Sequence, residues 1–288
     1  MKRPGPVAGY LLDVEGVLVR DKRYRAVPGA VAWLEAVTAA GVPWLLVSNN
    51  TTHPPDDLAR DLAAAGFPVT VDRVVGALDL GRRWLAERGR RRILWLGTPT
   101  LAGWWEDAGF DLGGRGRCEA VVLGANTQLA VADLDRALRA LIDDGADLVC
   151  LHRNPFFLDG AGERRLGPGA WAAALEAAAH PGHVITVGKP AEKIYHDAIK
   201  RIGVPPAELL FISDDPVNDL ATAGKLGMGT VFVLSGKHPD HGVLAQLPED
   251  DWPDIICGSL ADVAGPGAPP AAAGGDADAT PPVPEDES

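Results

Sequence analysis

The sequence predicts an α/β fold built on parallel sheets. Short apolar runs rich in Val, Ile and Leu alternate with amphipathic helical patterns, and several of those patterns stop at a glycine. Crossover helices between parallel strands cover both faces of a sheet, so its strands read as continuous apolar runs rather than alternating ones. With 288 residues, 47% of them apolar and 23% charged, the chain can bury a core. At roughly 100–200 residues per domain it has room for two.

The first apolar run, "YLLDVEGVLV", is interrupted by Asp13 and Glu15. After it, "VPWLLVS", "RRILWLG", "EAVVLGA", "ADLVCLH", "HVITVG", "LLFIS", "TVFVLSG" and "DIIC" read as buried strands. Between them, "AVAWLEAVTAAG", "PDDLARDLAAAG", "LGRRWLAERG", "VADLDRALRALIDDG", "GAWAAALEAAA" and "AEKIYHDAIKRIG" read as helices. Their terminal glycines suit a left-handed C-cap. Residues 265–288, "GPGAPPAAAGGDADATPPVPEDES", have no apolar period and are expected to form a disordered tail. The chain shows no internal repeat.

Composition narrows the function. A net charge of -12 argues against nucleic acid and anionic membranes as partners, because phosphate affinity depends on Lys and Arg releasing counterions. Cys118, Cys150 and Cys257 are odd in number, far apart and without a C-x-x-C pair, so neither a disulfide framework nor a zinc site is expected. No run approaches the roughly 18 apolar residues of a membrane span. The start, "MKRPGPVAGY", meets Pro and Gly before any signal-like region forms. A cytoplasmic protein is the expectation.

In open α/β sheets ligands bind beyond the carboxyl ends of the strands, so polar residues that directly follow apolar runs are the candidates. Four segments deliver them: Asp13 and Glu15 in "YLLDVEG", Ser48 and Asn49 in "WLLVSNN", Lys189 in "HVITVGKP", and Asp214, Asp215 and Asp219 in "LLFISDDPVND". Singly, each has an ordinary structural explanation as a turn former, a helix cap or a solvated loop end. Together they describe two carboxylate clusters that repel unless a cation intervenes. Oxygen ligands with incomplete protein coordination suit Mg2+, which keeps waters and shares a substrate phosphate. A metal ion, an ammonium, a hydroxyl and loop N–H groups make a site for a phosphoryl group. One carboxylate could attack phosphorus and another handle protons.

These four segments resemble the four signature motifs of the haloacid dehalogenase superfamily. "AVPGAVAWLEAV", "VGKPAEKIYHDAIKRIGV" and "DDPVNDLATAGKLGMGTVFVLSGK" are similar to its subfamily IIA of p-nitrophenyl phosphatase-like enzymes, and the resemblance spans residues 9–263. "LVCLHRNPFFLDGAGERRLGPGAWAAALEAA" most resembles the branch holding the phospholysine phosphohistidine inorganic pyrophosphate phosphatase. The resemblance implies a Rossmann-like core over residues 1–77 and 184–264, with a C2-type α/β cap inserted at 78–183. The interval from Asn49 to Lys189 is independently too long for one crossover. The implied function is a Mg2+-dependent phosphatase that hydrolyses phosphomonoesters of small metabolites through an aspartyl phosphate. The alternative is a catalytically weak or silent relative that binds a phosphorylated ligand or a protein partner.

Carried over by position, Asp13 is the nucleophile, Ser48 and Asn49 bind phosphoryl oxygens, and Lys189 stabilises the nucleophile and the transferring charge. Asp13, Asp214 and the backbone carbonyl of Glu15 are the implied metal ligands, with Asp215 and Asp219 orienting the surrounding shell. The family usually has Asp at the position of Glu15, where it acts as general acid and base. The extra methylene matters, because misplacing a catalytic group by about 1 Å can cost on the order of 100-fold. Ser213 stands where Gly is usual, a departure expected to matter only if the backbone needs positive φ.

Elsewhere, Arg153, flanked by His152 and Asn154, is a candidate substrate contact in the cap, with a surface salt bridge as its alternative. His238 and His241 are expected in a solvated loop. Of Trp104 and Trp105, one is expected in the core and one at the surface, with a homodimer through the cap as the functional alternative. The basic stretch "RRWLAERGRRR" reads as a solvated helix end.

Overall fold

The computed structural model describes residues 6–20, 23–113, 116–159, 162–180 and 184–265. The tail expected beyond residue 265 lies outside them. In chain order the first elements are β1 (Gly9–Leu12), α1 (Ala30–Ala39), β2 (Trp44–Ser48), α2 (Pro55–Ala64), β3 (Val74–Gly76) and α3 (Ala77–Glu87). Next come β4 (Ile93–Leu96), α4 (Ala102–Asp107), β5 (Ala120–Leu123), α5 (Val131–Ile142), β6 (Asp147–Cys150), β7 (Phe156–Leu158), β8 (Arg164–Leu166), α6 (Pro168–Ala179) and β9 (Val184–Thr186). The chain closes with α7 (Glu192–Ile202), β10 (Leu209–Ser213), α8 (Ala221–Lys225), β11 (Gly229–Val233) and β12 (Ile255–Cys257).

Six strands form one parallel sheet in the order β12-β11-β10-β1-β2-β3, and four form a second parallel sheet, β4-β5-β6-β9. Both are covered on two faces, as continuous apolar runs require. In the larger sheet Tyr10, Leu12, Leu46, Leu210, Ile212, Val231 and Val233 join one buried cluster, while Leu11, Leu45, Val47, Leu209, Phe211 and Phe232 join another. The second cluster continues into the smaller sheet through Ala120, Val122 and Val149. Alternate residues there, Val121, Leu123, Leu148 and Cys150, pack with α5 and α6 in a third. Apolar burial therefore runs unbroken from the larger sheet to the smaller one.

The predicted strands and helices are present, with one boundary corrected. The expected second core part begins at residue 184, but β9 pairs with β6 through Leu148↔Val184 and Cys150↔Thr186 and so completes the smaller sheet. The chain returns to the larger sheet only after Thr186. Sequence pattern shows that "HVITVG" is a strand, while its neighbour is a long-range fact. The short β3, α4, α8 and the β7–β8 hairpin were not anticipated; β8 is exposed throughout and has no apolar period.

The basic stretch is paired rather than free. Arg83 bridges Asp79 and Asp197, Arg90 meets Asp147, and Arg92 meets Glu119. Trp105 is fully buried against Trp95, Trp104 and Phe110, and Trp104 is half-buried under the Arg82 guanidinium. Among the described residues no helix is long and apolar enough to cross a membrane.

Candidate active site

The larger sheet grows from β1 in both directions, first to β2 and β3, later to β10, β11 and β12. The crevice between β1 and β10 is thus a topological switch point, where such sheets bind ligands. Leu12 pairs with Ile212, and the two chains leave the sheet together, the Asp13 N–H still donating to the Ile212 carbonyl at 2.9 Å. Asp13 and Asp214 therefore emerge side by side. Beyond Asp13 the apolar run stops being a strand. Leu18 and Val19 donate back to the Val14 carbonyl, and Gly16 sits at φ +80°.

Lys189 arrives on the loop after β9 and is seated by Asn49. Asn49 Oδ1 accepts the Lys189 N–H at 2.8 Å, and its Nδ2 donates to the Lys189 carbonyl at 3.0 Å. The lysine side chain, 1% exposed, donates through Nζ to Asp13 Oδ1 and to Asp219 Oδ2, each at 2.7 Å, and lies 5.6 Å from the Phe211 ring centre. Ser48 is buried, and its Oγ accepts the Asn50 N–H at 3.0 Å.

The acidic segment turns as a single π-helical turn, Pro216–Leu220, a rare form frequent at functional sites. Asp215 caps it, accepting from the Asn218 N–H at 3.0 Å and from Lys237 Nζ at 2.7 Å. The Lys237 N–H donates to Asp214 Oδ2 at 2.6 Å, and Ser235 Oγ donates to the Gly16 carbonyl at 2.6 Å. Two glycines keep the space around Asp214 clear. A Cβ on either Gly16 or Gly236 would lie 2.0 Å from Asp214 Oδ2. The "SGK" after β11 was visible as part of the family pattern, but its wall of contacts around Asp214 was not.

Burial dominates the electrostatics. Desolvation pushes Asp13 up despite Lys189, and pushes Asp214 well above the usual carboxylate range, with the neighbouring charge of Asp13 adding to the effect. Asp219 is pushed up to about 7, mainly by burial, against the pull of Lys189. Burial alone would lower the Lys189 ammonium, but Asp13 and Asp219 outweigh it and hold it above the ordinary lysine value. Burial likewise opposes the charge on Asp215, but Lys237 overcomes this and holds Asp215 below the usual range. Two adjoining carboxylates that are costly as anions, beside a space that a methyl group would fill, fit an oxygen-liganded divalent cation. Among the described residues no three His, Cys, Asp or Glu side chains group to hold a metal. The cation would accordingly take its remaining ligands from main chain, substrate and water.

Two candidates differ from the buried groups of this cluster. The Glu15 side chain is exposed; its negative charge, after burial, helps push Tyr24 up to about 12. The same charge adds to the upward push on the Asp13 carboxyl, and the metal role implied for residue 15 falls to its main-chain carbonyl. Arg153 is drawn into the insert, with its guanidinium 2.5 Å from Glu176 and donating to Thr186 Oγ1 at 2.9 Å. The salt-bridge alternative, rather than a guanidinium held out for substrate, describes it in this structure. His238 lies in the loop after β11, half-buried against Phe232, while His241 is exposed.

A buried ammonium between the strand-exit Asp13 and Asp219 of the π-helical turn, at the switch point of a parallel sheet, suits an α/β enzyme that handles phosphoryl groups. A haloacid dehalogenase-like hydrolase family model matches residues 10–111, and a second, HAD-hydrolase-like model matches residues 186–263. Human chronophin is 30% identical over 247 residues, covering 81% of this chain and 82% of that protein. The p-nitrophenyl phosphatase from Archaeoglobus fulgidus superposes with a TM-score of 0.77 at 26% identity, covering 90% of this chain and 98% of that one. A glycerol phosphate phosphatase from Mycobacterium tuberculosis, in complex with calcium, gives 0.72 at 26% identity, covering 88% and 74%. The chain belongs to the haloacid dehalogenase-like hydrolases, subfamily IIA, and is a phosphoric monoester hydrolase of that family.

Proposed function

We propose that this protein is a Mg2+-dependent phosphatase of small phosphorylated metabolites that works through an aspartyl phosphate on Asp13. The observation carrying this reading is the Lys189 ammonium, 2.7 Å from Asp13 Oδ1, with Asp214 on the adjoining strand exit. A carboxylate oxygen of Asp13 attacks phosphorus, and the bond from phosphorus to the leaving oxygen breaks as the new one forms. Glu15, as the acid, gives that oxygen its proton. As the carboxylate it then takes a proton from water, whose oxygen displaces Asp13 and releases inorganic phosphate. Lys189 offsets the charge gathering between nucleophile and phosphoryl oxygens. Ser48 and the loop after it would receive those oxygens, while Asn49 acts chiefly by holding Lys189 in place. Bound Mg2+, held by Asp13, Asp214 and the Glu15 carbonyl, would neutralise phosphoryl charge and relieve the repulsion between the two aspartates.

The names of the p-nitrophenyl and glycerol phosphate phosphatases support a small phosphomonoester as substrate class. Purified protein should hydrolyse p-nitrophenyl phosphate with Mg2+, and both excess EDTA and Asp13→Asn should reduce turnover to background. Undiminished rates under either change would sink the mechanism. A wild type that turns over no phosphomonoester tried, yet binds tungstate, would instead support the silent phospho-ligand binder.

A further inference from the structure

We propose that Ser213 is a positioning residue for Lys189, dividing the lysine's attraction between Asp219 and the nucleophile. Ser213 ends β10 directly before Asp214, has no exposed surface, and lies outside the positive-φ backbone that would call for glycine. Its hydroxyl is what distinguishes it. Oγ donates to Asp219 Oδ2 at 2.5 Å and accepts the Asp215 N–H at 3.1 Å, so its proton has a fixed destination. Asp219 Oδ2 is the same oxygen that accepts from Lys189 Nζ at 2.7 Å. Two donors therefore share one carboxylate oxygen.

That sharing decides where the ammonium sits. Lys189 carries one positive charge between two carboxylates and meets Asp13 at the same 2.7 Å. Hydrogen bonds to ionised groups are the strong ones, and a second donor on Oδ2 competes with the first for the same lone-pair density. With the hydroxyl removed, the full acceptor strength of Oδ2 falls on Lys189 and draws Nζ toward Asp219, away from Asp13. Ser213, Lys189 and Asp219 are all buried, so no bulk water replaces the lost donor on Oδ2. The geometric part of this inference is independent of the reaction; its catalytic consequence rests on the phosphatase reading.

The test uses Ser213→Ala, which keeps Cβ and loses the donor, and Ser213→Cys, near in shape with a weaker donor. Crystal structures of metal-free wild type and S213A should show the Lys189 Nζ–Asp13 distance opening past about 3.2 Å in the variant, out of the usual hydrogen-bond range. On p-nitrophenyl phosphate, S213A should lose about 10- to 100-fold in kcat, the scale of one hydrogen bond to a charged group. KM should stay within about twofold of wild type, as for an interaction made in the transition state. S213C should shift in the same direction by less, and it carries the test if the alanine variant does not fold. An unchanged Lys189–Asp13 distance overturns the proposal whatever the rates do. So does a displaced Lys189 with unchanged kcat, or a kcat that falls only in step with melting temperature. If wild type itself shows no turnover, the phosphatase reading fails, and the crystallographic distance alone decides the role of Ser213.

Discussion

Glu15 carries one methylene more than the aspartate usual at that position in the family, and its side chain is exposed where Lys189 is buried. A longer, solvated carboxyl can still reach a leaving group, at a cost in precision. Glu15→Gln is expected to lose about 100- to 10,000-fold in turnover, the usual worth of general acid-base catalysis. Glu15→Asp is expected to keep or raise the rate on aryl phosphates. Steady-state rates on p-nitrophenyl phosphate and on an alkyl phosphate check both, and the Gln variant should suffer less on the aryl ester in the first step, because p-nitrophenolate leaves without a proton. If wild type and the Gln variant are equally slow throughout, Glu15 is no catalyst. At this scale Asp13, Lys189 and Asp214 were legible because each follows an apolar run that had to be a strand. Ser213 and Lys237 stand out in the sequence only as a departure and as part of a motif; that the serine donates to Asp219 and the lysine to Asp215 has no local signature.

Among the elements, the loop after β11 has demanding geometry, because Gly236 packs against both Asp214 and the Gly16 backbone. A methyl group on Gly236 would lie 2.0 Å from Asp214 Oδ2 and 2.5 Å from the Gly16 backbone, so Gly236→Ala must displace the carboxylate. Outer-shell disturbances of this kind typically cost 10–100-fold in metal affinity. Calorimetric titration with Mg2+ should show a loss on about that scale, with secondary structure unchanged by circular dichroism. Gly76→Ala is the control, since a Cβ there meets nothing within 4 Å. Equal affinity in wild type and Gly236→Ala would mean that Asp214 is not a metal ligand. Periodicity located nearly every long strand and helix, but it could not tell that β9 pairs with β6, nor that the β7–β8 hairpin would place the Phe156 ring centre 5.0 Å from Lys237 Nζ. Both are matters of partner, and partner choice leaves no period in a short segment.

For the whole molecule, three desolvated carboxyls couple metal, protons and stability. Asp13 and Asp214 are raised and Asp219 is pushed up to about 7, so the metal-free fold holds protons that the unfolded chain releases near pH 4. A carboxyl raised in this sense contributes stability that is full below its unfolded value and is lost as pH rises through the folded one. Metal-free protein is therefore expected to lose the Asp219 part of this contribution between about pH 4 and 7, with the Asp13 and Asp214 parts lost as each raised carboxyl ionises in its turn. Mg2+ needs the deprotonated ligands, so its stabilisation should grow over the same window. Melting temperatures with and without saturating Mg2+ at pH 5 and pH 7.5 test this, with Asp214→Asn expected to abolish the difference; a shift equal at both pH values would contradict it. By itself, the sequence determined that the chain forms parallel sheets, because strand-length apolar runs and helical periods are local properties, and it marked the strand exits where charged groups could gather. Only the tertiary structure decided that β1 and β10 adjoin, that Lys189 bridges Asp13 and Asp219, and that Arg153 turns to Glu176. Each of these joins segments distant along the chain, and their pairing is set by which buried faces and charges find one another.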